Sequence, residues 1–569
     1  MLSEKKYGLI ALLLALSAVA IIWIVGMGQT GEQTLQAQPQ EQTKDTIMRY
    51  SKLLAQAAYS INDRYVEEID PKDLGYAGIK GMLELLDPFS SLLEKKGYDL
   101  LMEITHGRYE GLGMTIEKRE KEIIVVSPIE GTPAYRMGLR AGDRIIEIEG
   151  KATFEMSTEE ASKLMRGPAG TKVNLKIKRE GMAEPLDYLI ERAVIELKNV
   201  PYYGTVGDGI GYIRLSRFSE ETGRELNDAI TELRKKDIKG LIFDLRYNGG
   251  GLLSEGVETS NLFLDRGKLI VYTQGKKEEE LNKYLAKNEP FFPDKPLVVL
   301  VDEQTASASE IVAGAIQDWD RGVIIGDTTF GKGLVQTVLN MPDDVFLKLT
   351  IAKYYIPSGR CIQKPEKSRK NPDLLSSDEE DSSKGKPQAN EVYHTNGGRV
   401  VYGGGGIVPD IIIEEDYLKP IEINLERNQV FFDFAVRYIS KHEGLSSDFV
   451  ADEKVIAEFR DFIKEKNFTY LTPLELSLRE LEKNIETQKN KENFAYSLKE
   501  LKAAIDKSKE NDFENSLEYI KKSIKRDILY SLYGQKGYYE EIVLKTDPMV
   551  KKAIEILSDR TAYRKLLKG

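Results

Sequence analysis

At 569 residues the chain is longer than a single core sustains, so several domains are expected, each with enough length to bury an interior. A formal net charge of -11 with 30% charged residues describes an acidic, soluble body without the basic footprint that polyanions require, which sets nucleic acid aside as a partner. The single cysteine, Cys361, excludes an intrachain disulfide and a thiolate zinc cluster, and three histidines (His106, His394, His442) make imidazole chemistry scarce.

Lys5 and Lys6 precede an uncharged run over 9–27, about the 20 residues that cross hydrocarbon, with Trp23 placed for the interface. Segment 1–28 therefore reads as a membrane anchor with its positive flank cytoplasmic and the rest exported. Ala18-Val19-Ala20 has the small-x-small form of a cleavage site, so a removable signal sequence, giving a secreted protein, is the alternative. A Gln-rich linker, 29–44, follows. Over 45–106 the pattern is helical, with apolar stripes at Ile47, Tyr50, Leu53, Leu54, Ala57 and Ala58, then at Ile79, Met82, Leu83 and Leu86. Such stripes suit a packing or dimerisation segment, and a homo-oligomer is expected.

Residues 107–192 alternate as short strands do, with a helical pattern over 157–166. Gly111-Leu112-Gly113-Met114, followed by AYRMGLRAGDRIIEIEG, resembles a PDZ domain of the bacterial type. The resemblance implies that backbone N–H groups of the Gly111 to Met114 loop receive a chain's free carboxylate while the adjoining strand pairs with its tail. The bland alternative, glycines that only make tight turns, holds for Gly138 and Gly142. Arg166 opens an RGPxGT turn common in PDZ domains attached to peptidases, which makes it a candidate for coupling tail binding to an active site. Its alternative is a surface arginine at a helix carboxyl end.

The core is expected from 193 onward. Strands over 210–215 and 240–245 flank an amphipathic helix over 222–235, which is a βαβ pattern. Asp244-Leu245-Arg246-Tyr247-Asn248-Gly249-Gly250-Gly251 follows, and its glycines let backbone N–H groups turn outward to hold an oxyanion or a phosphate. Neither nucleotide-binding glycine motif is present. An apolar strand over 297–301 then leads through Thr305-Ala306-Ser307-Ala308-Ser309 into a helix, and a second strand over 323–325 leads to Phe330-Gly331-Lys332-Gly333. A serine nucleophile needs a base, and no histidine occurs between His106 and His394. Lys332 serves if burial lowers its pKa, and Gln336 can orient it. Spacing leaves Ser307 and Ser309 both open; Ser307 with Glu310 also has the form of a capping box.

TASASEIVAGAIQD (305–318), IGDTTFGKGLVQ (325–336), DLRYNGGGLL (244–253), YYIPSGRCIQ (354–363) and GGGGIVPD (403–410) together resemble the C-terminal processing peptidases of the S41 class. The resemblance implies a multidomain α/β protein with a crotonase/ClpP-like core over 193–417 and a PDZ domain upstream. Beyond it, 418–569 reads as helical from its own pattern, with apolar stripes suited to packing on the core or on a partner subunit and with charged, solvated faces. It implies Ser307 as nucleophile, Lys332 as general base, Gln336 as the assisting amide, and Gly250 and Ala308 as oxyanion N–H donors. Gly249 departs from the family, which commonly has proline or serine there. No metal or cofactor is expected, and the expected partners are proteins with free C-terminal tails, in the periplasm. A polar, charged insertion is expected over 364–390. Competing readings are a non-catalytic PDZ scaffold and an acyl-CoA enzyme on a similar fold.

Overall fold

The computed structural model describes residues 39–365, 391–414, 417–487 and 491–568. The expected anchor and most of the expected insertion lie outside them; among the described residues no helix is long and apolar enough to cross a membrane. Contacts divide the chain after Leu86. The first unit holds α1 (Pro39–Arg64) and α2 (Pro71–Leu83), the latter started by Asp70, whose carboxylate accepts from Lys72 N. The stripe on α1 is uncovered in the chain: Ile47, Leu53 and Leu54 are 59%, 58% and 49% exposed.

The larger unit opens with β1 (Ser91–Glu94) and α3 (Lys95–His106). The helical expectation for 45–106 is corrected here. Asp87 accepts from Phe89 N and Ser90 N in a tight turn containing Pro88, and the chain leaves it extended, so 91–94 forms a strand. Next come β2 (Arg108–Gly111), β3 (Met114–Arg119), β4 (Glu122–Pro128), α4 (Pro133–Arg136), β5 (Arg144–Ile148), β6 (Lys151–Ala152), α5 (Thr158–Met165), β7 (Lys172–Lys178), β8 (Leu186–Glu191) and β9 (Ala193–Glu196). Their sheet runs β3-β4-β5-β7-β8, with β6 on β5, around Ile123, Val125, Ile145, Val173, Leu175 and Ile177. The β2–β9 pair closes the entry and exit of this domain.

The core comprises β10 (Tyr202–Val206), β11 (Ile210–Arg214), α6 (Thr222–Lys235), β12 (Gly240–Asp244), α7 (Leu253–Asn261), β13 (Leu269–Gly275), β14 (Leu281–Leu285), β15 (Leu297–Val301), α8 (Ala308–Asp318), β16 (Val323–Gly326), β17 (Leu334–Met341), β18 (Val345–Tyr355), β19 (Val392–His394), β20 (Val400–Tyr402) and β21 (Ile411–Ile412). One sheet runs β10-β11-β12-β15-β16-β21 and is antiparallel only at β10–β11. A second runs β1-β18-β13-β14, with β17 also paired to β18.

The C-terminal helices are α9 (Pro420–Arg427), α10 (Val430–Lys441), α11 (Glu453–Glu465), α12 (Pro473–Glu486), α13 (Ala495–Lys509), α14 (Leu517–Tyr538), α15 (Pro548–Ser558) and α16 (Arg560–Leu566). The strands of the parallel sheet are apolar on both faces, so both must be covered. Leu226, Ile230, Ile311 and Val312 of α6 and α8 cover one face. Met549, Val550 and Ala553 of α15 cover the other, against Tyr212, Ile242, Val298 and Leu300. The chain's last helices therefore complete the core sandwich. Tyr563 adds a clasp, its hydroxyl lying 3.0 Å from Leu297 N and 3.1 Å from Leu297 O.

Candidate active site

Ser307 stands at the carboxyl end of β15, at the mouth of α8. Its backbone is strained, with φ 56° and ψ -116°, a conformation an L-residue holds only when its surroundings impose it. The imposing group is Glu310, which is 0% exposed. Glu310 Oε2 accepts from Ser307 N at 2.8 Å and from Lys332 N at 2.9 Å; Oε1 accepts from Thr329 Oγ1 at 2.5 Å and Gly331 N at 2.7 Å. One carboxylate thus ties the serine turn to the lysine loop. Burial pushes this carboxyl up to about 7, against the hydrogen bonds from Thr329, Lys332, Gly331 and Ser307 that favour the anion. The return bond of the expected capping box is present, but the Ser307 hydroxyl makes no cap hydrogen bond. Tyr354 repeats the tie: its hydroxyl lies 3.0 Å from Ser307 O and 2.6 Å from Lys332 O.

The two serines separate cleanly. Ser309 is fully buried and its hydroxyl donates to Asn248 O at 2.9 Å. Ala306 N donates to the same carbonyl, Thr305 Oγ1 to Leu245 O, and both Asp302 carboxylate oxygens accept from Tyr247 N, so the glycine loop is laced to the serine turn. At Gly250, φ is +92° and a Cβ would sit 2.6 Å from Ala306 O and 2.8 Å from Ser307 Cβ. Only glycine fits. Its N–H currently donates to Asn248 Oδ1 at 2.9 Å, so it reaches an oxyanion only by sharing or releasing that bond. Ala308 is the first residue of α8, where an N–H has no intrahelical acceptor.

Lys332 lies in the loop before β17, and the glycines flanking it are fixed by close neighbours. A Cβ on Gly331 would meet Lys364 Cγ at 2.7 Å, and one on Gly333 would meet Gln363 N at 2.9 Å. Lys332 Nζ donates to Gln336 Oε1 at 3.1 Å, and a register shift between Val335 and Gln336 aims that amide. Burial holds the Lys332 amine below its ordinary value, helped by Lys348, while Asp87 and Glu310 pull the other way. Gln336 Nε2 donates to Phe89 O at 2.8 Å, and Nζ lies 4.6 Å from the Phe89 ring. The sequence reading passed over Phe89, Tyr354 and the linking role of Glu310.

Family models match three stretches: "Peptidase family S41" over residues 209–374, "PDZ domain" over 124–179, and "Probable PDZ-protease, C-terminal helical domain" over 421–557. A carboxy-terminal-processing protease of Bartonella bacilliformis is 42% identical over 307 residues, which are 53% of this chain and 70% of that protein. The chain belongs to the carboxy-terminal processing proteases of peptidase family S41. A second member, from Bacillus subtilis, is 38% identical over 365 residues, 63% of this chain and 75% of that one. Among solved structures, the photosystem II D1 C-terminal processing protease aligns at 31% identity with TM-score 0.34, covering 55% of this chain and 90% of that one.

In this processing protease the PDZ domain presents β3 as an edge strand, with α5 packed across from it. Leu112 O and Gly113 O accept from Ala134 N and Ile129 N, and trans peptide geometry then directs the Gly113 N–H away from that turn. A Cβ on Gly113, where φ is +78°, would lie 2.3 Å from Thr132 Cβ. Met114 begins β3, and Leu112 is buried beneath the loop. Arg166 is paired with Glu103 of α3, Nη1 lying 2.6 Å from each carboxylate oxygen, and stacks 4.7 Å from the Tyr109 ring. Its bonds therefore run to the helix preceding the PDZ domain rather than to Ser307 or Lys332. The C-terminal helices also hold β3: Arg119 Nη1 donates to Asp433 Oδ1 at 2.6 Å and Gln429 Nε2 to the Glu117 carboxylate at 2.7 Å.

Proposed function

We propose that this chain is a serine endopeptidase in which Ser307 is the nucleophile and Lys332 the general base. The observation that carries the reading is the Glu310 carboxylate, which receives Ser307 N and Lys332 N on one oxygen and so fixes the two backbones side by side. Ser309 is excluded as nucleophile by its buried bond to Asn248 O. A tail docks along β3 with its carboxylate at Gly111 to Met114, and the chain upstream of it enters the site. Ser307 Oγ attacks a peptide carbonyl carbon while neutral Lys332 takes the hydroxyl proton. The Ala308 N–H, joined by Gly250 N–H once Asn248 yields it, holds the oxyanion. Collapse expels the amine, to which Lys332 returns the proton, and water then cleaves the acyl-enzyme by the same path. Nζ donates to Gln336 rather than to Ser307 in this structure, and such bonds commonly tighten only with substrate bound.

The substrates belong, on this reading, to exported or envelope proteins with free carboxyl tails, and the chain is held at a membrane by 9–27 with its catalytic part outside the cytoplasm; the positive flank and the apolar run support this. The uncovered stripe at Ile47, Leu53 and Leu54 supports assembly with further copies through the N-terminal helices. The test is cleavage of a tailed substrate by purified protein, read by product mass. Ser307→Ala and Lys332→Ala are each expected to abolish it while the fold persists; full activity in either overturns the assignment.

A further inference from the structure

The turn over 87–90 is built by one carboxylate. Asp87 Oδ1 accepts from Phe89 N and Ser90 N at 2.9 Å each, and Oδ2 accepts from Ser90 Oγ at 3.0 Å. Ser90 Oγ in turn accepts from Thr350 N at 3.1 Å, and Thr350 is the ladder partner of Gln336 on β18. The turn is therefore stitched to the residue opposite the amide, and β1 continues the stitching from Ser91 opposite Lys348 to Glu94 opposite Val345.

A glutamine amide has one accepting and one donating end. Phe89 O can only accept, so the Gln336 NH2 must face it, leaving Oε1 toward Lys332 Nζ. That choice matters to a lysine base. With one N–H of the neutral amine held by Oε1, its lone pair stays free for the serine proton; a reversed amide would donate into the lone pair and block it. The Phe89 ring lies 4.6 Å from Nζ and edge-on to Phe330 at 6.3 Å, so it occupies one side of the half-buried amine.

We propose that the turn over 87–90 is a positioning element for the general base: it fixes which end of the Gln336 amide faces Lys332 and keeps water from the amine. Asp87 and Phe89 act through Gln336 and Lys332 and touch no reacting atom themselves. The charged groups facing Nζ are Lys348 from β18, Asp87 from the turn and Glu310 from α8. This rests on the Ser307/Lys332 reading.

The test measures kcat against pH for the full chain, alongside thermal unfolding. Removing the ring hydrates the amine, which raises its pKa, and deletes a ring face that attracts the ammonium, which lowers it. On this proposal hydration wins, so Phe89→Ala is expected to move the acid limb of kcat to higher pH, and Phe89→Leu, which keeps the bulk, to bring it back to the wild-type position or below. Asp87→Ala also deletes a charge near Nζ, so it is read on the alkaline plateau, where the charge no longer matters. There it is expected to lower kcat on the order of tenfold. In a Gln336→Ala background the same substitution should add little, because the amide it aims is gone. An unmoved acid limb in Phe89→Ala with a lower Tm alone, or losses from Asp87→Ala and Gln336→Ala that multiply, overturns the proposal. Lys332→Ala, run first, separates the two levels: full activity there removes the dyad reading itself, before any turn variant is interpreted.

Discussion

Ser307 and Lys332, the proposed nucleophile and base, have backbones tied to the same Glu310 carboxylate but side chains in differently built surroundings. The serine backbone sits in a knot: Glu310 holds its N–H, the Tyr354 hydroxyl reaches its carbonyl, and the neighbours Thr305, Ala306 and Ser309 are bonded to the glycine loop. Among the described residues the Lys332 amine donates to Gln336 and lies beside the Phe89 ring, both placed by a short turn and a register shift. Rigid placement of a nucleophile in a strained elbow costs folding energy but no reorganisation during reaction. A lightly held amine can instead be tuned through its solvation. Substitutions on the serine side should therefore disturb stability and rate together, and those on the lysine side should move the pH profile.

The largest effect belongs to Ser307. Ser307→Ala should lower cleavage by about 10⁴-fold or more while leaving the strain in place. Ser307→Gly should be equally inactive yet more stable by about 1 kcal/mol, because glycine occupies φ 56° freely. Equal melting temperatures for the two would show that the elbow stores no strain. Gly250→Ala comes next. A methyl 2.6 Å from Ala306 O must displace the serine turn, and a drop in kcat on the order of 10²–10³ is expected from the lost oxyanion geometry, with a lower Tm.

Glu310→Gln tests the link between the two sides. Turned one way, its NH2 meets two N–H donors, Ser307 N and Lys332 N; turned the other, it meets Gly331 N beside the Thr329 hydroxyl, which can accept only by giving up its own donated bond. About 3 kcal/mol of stability and on the order of a hundredfold in kcat should go, since buried unsatisfied donors cost about 1–3 kcal/mol each. The wild-type carboxyl also makes stability pH-dependent. Its folded pKa, about 7, lies above the unfolded 4.5, so its contribution is complete below 4.5 and is lost as pH rises through 7. Chemical denaturation across that window should show less of the decline in Glu310→Gln, and an unchanged slope would remove Glu310 as its source.

Much of the core was legible because its strands are near-continuous apolar runs and its helices carry clean periodicity. The run over 297–301 and the helix over 222–235 form where the sequence placed them. What was not legible is contact across long separations. The pairing of Ser91 with Lys348 spans most of the PDZ domain and core, and nothing in Phe89-Ser90-Ser91 announces a partner. The role of Glu310 hid behind a local signature, since Ser-x-x-Glu is what a capping box looks like whether or not the carboxylate also grips a distant loop. Gly250 was read for its N–H, but the sequence could not show that Asn248 Oδ1 already occupies it. The C-terminal helices gave their stripes but not their target, and α15 covers a sheet face that the core leaves bare.

On the lysine side the effects shrink and turn into pH dependence. Burial and Lys348 lower the Lys332 amine, so cleavage should rise with pH and reach half its plateau below 10.5, the ordinary value; a flat profile from mildly acid to alkaline conditions would count against lysine as base. The Lys348→Ala variant removes a like charge and should move that midpoint upward, since the repulsion that favours the neutral amine is gone. Salt should have the same sign of effect in wild type, because screening weakens the Lys348 repulsion, and a weaker or opposite one in the variant, where the attractions of Asp87 and Glu310 are what remains to be screened.

The smallest expected effect lies farthest from the dyad, where Arg119 and Glu117 on β3 meet Asp433 and Gln429. Arg119 Nη1 is 2.6 Å from Asp433 Oδ1 and its guanidinium lies 4.5 Å from the Phe432 ring, while the Asp433 side chain is 29% exposed. A partly solvated pair of this kind contributes about 1 kcal/mol. Arg119→Ala should hence lower Tm by only a few degrees. Its informative readout is substrate type. If the helical region steadies the strand on which tails are proposed to dock, KM for a tailed substrate should rise a few-fold while kcat for a short untailed peptide stays put, since neither Ser307 nor Lys332 is touched. A matched fall in kcat for both substrates would instead mean that the docking strand and the dyad move as one body, and the contrast between a fixed serine and a tunable lysine would have to extend to the PDZ domain as well.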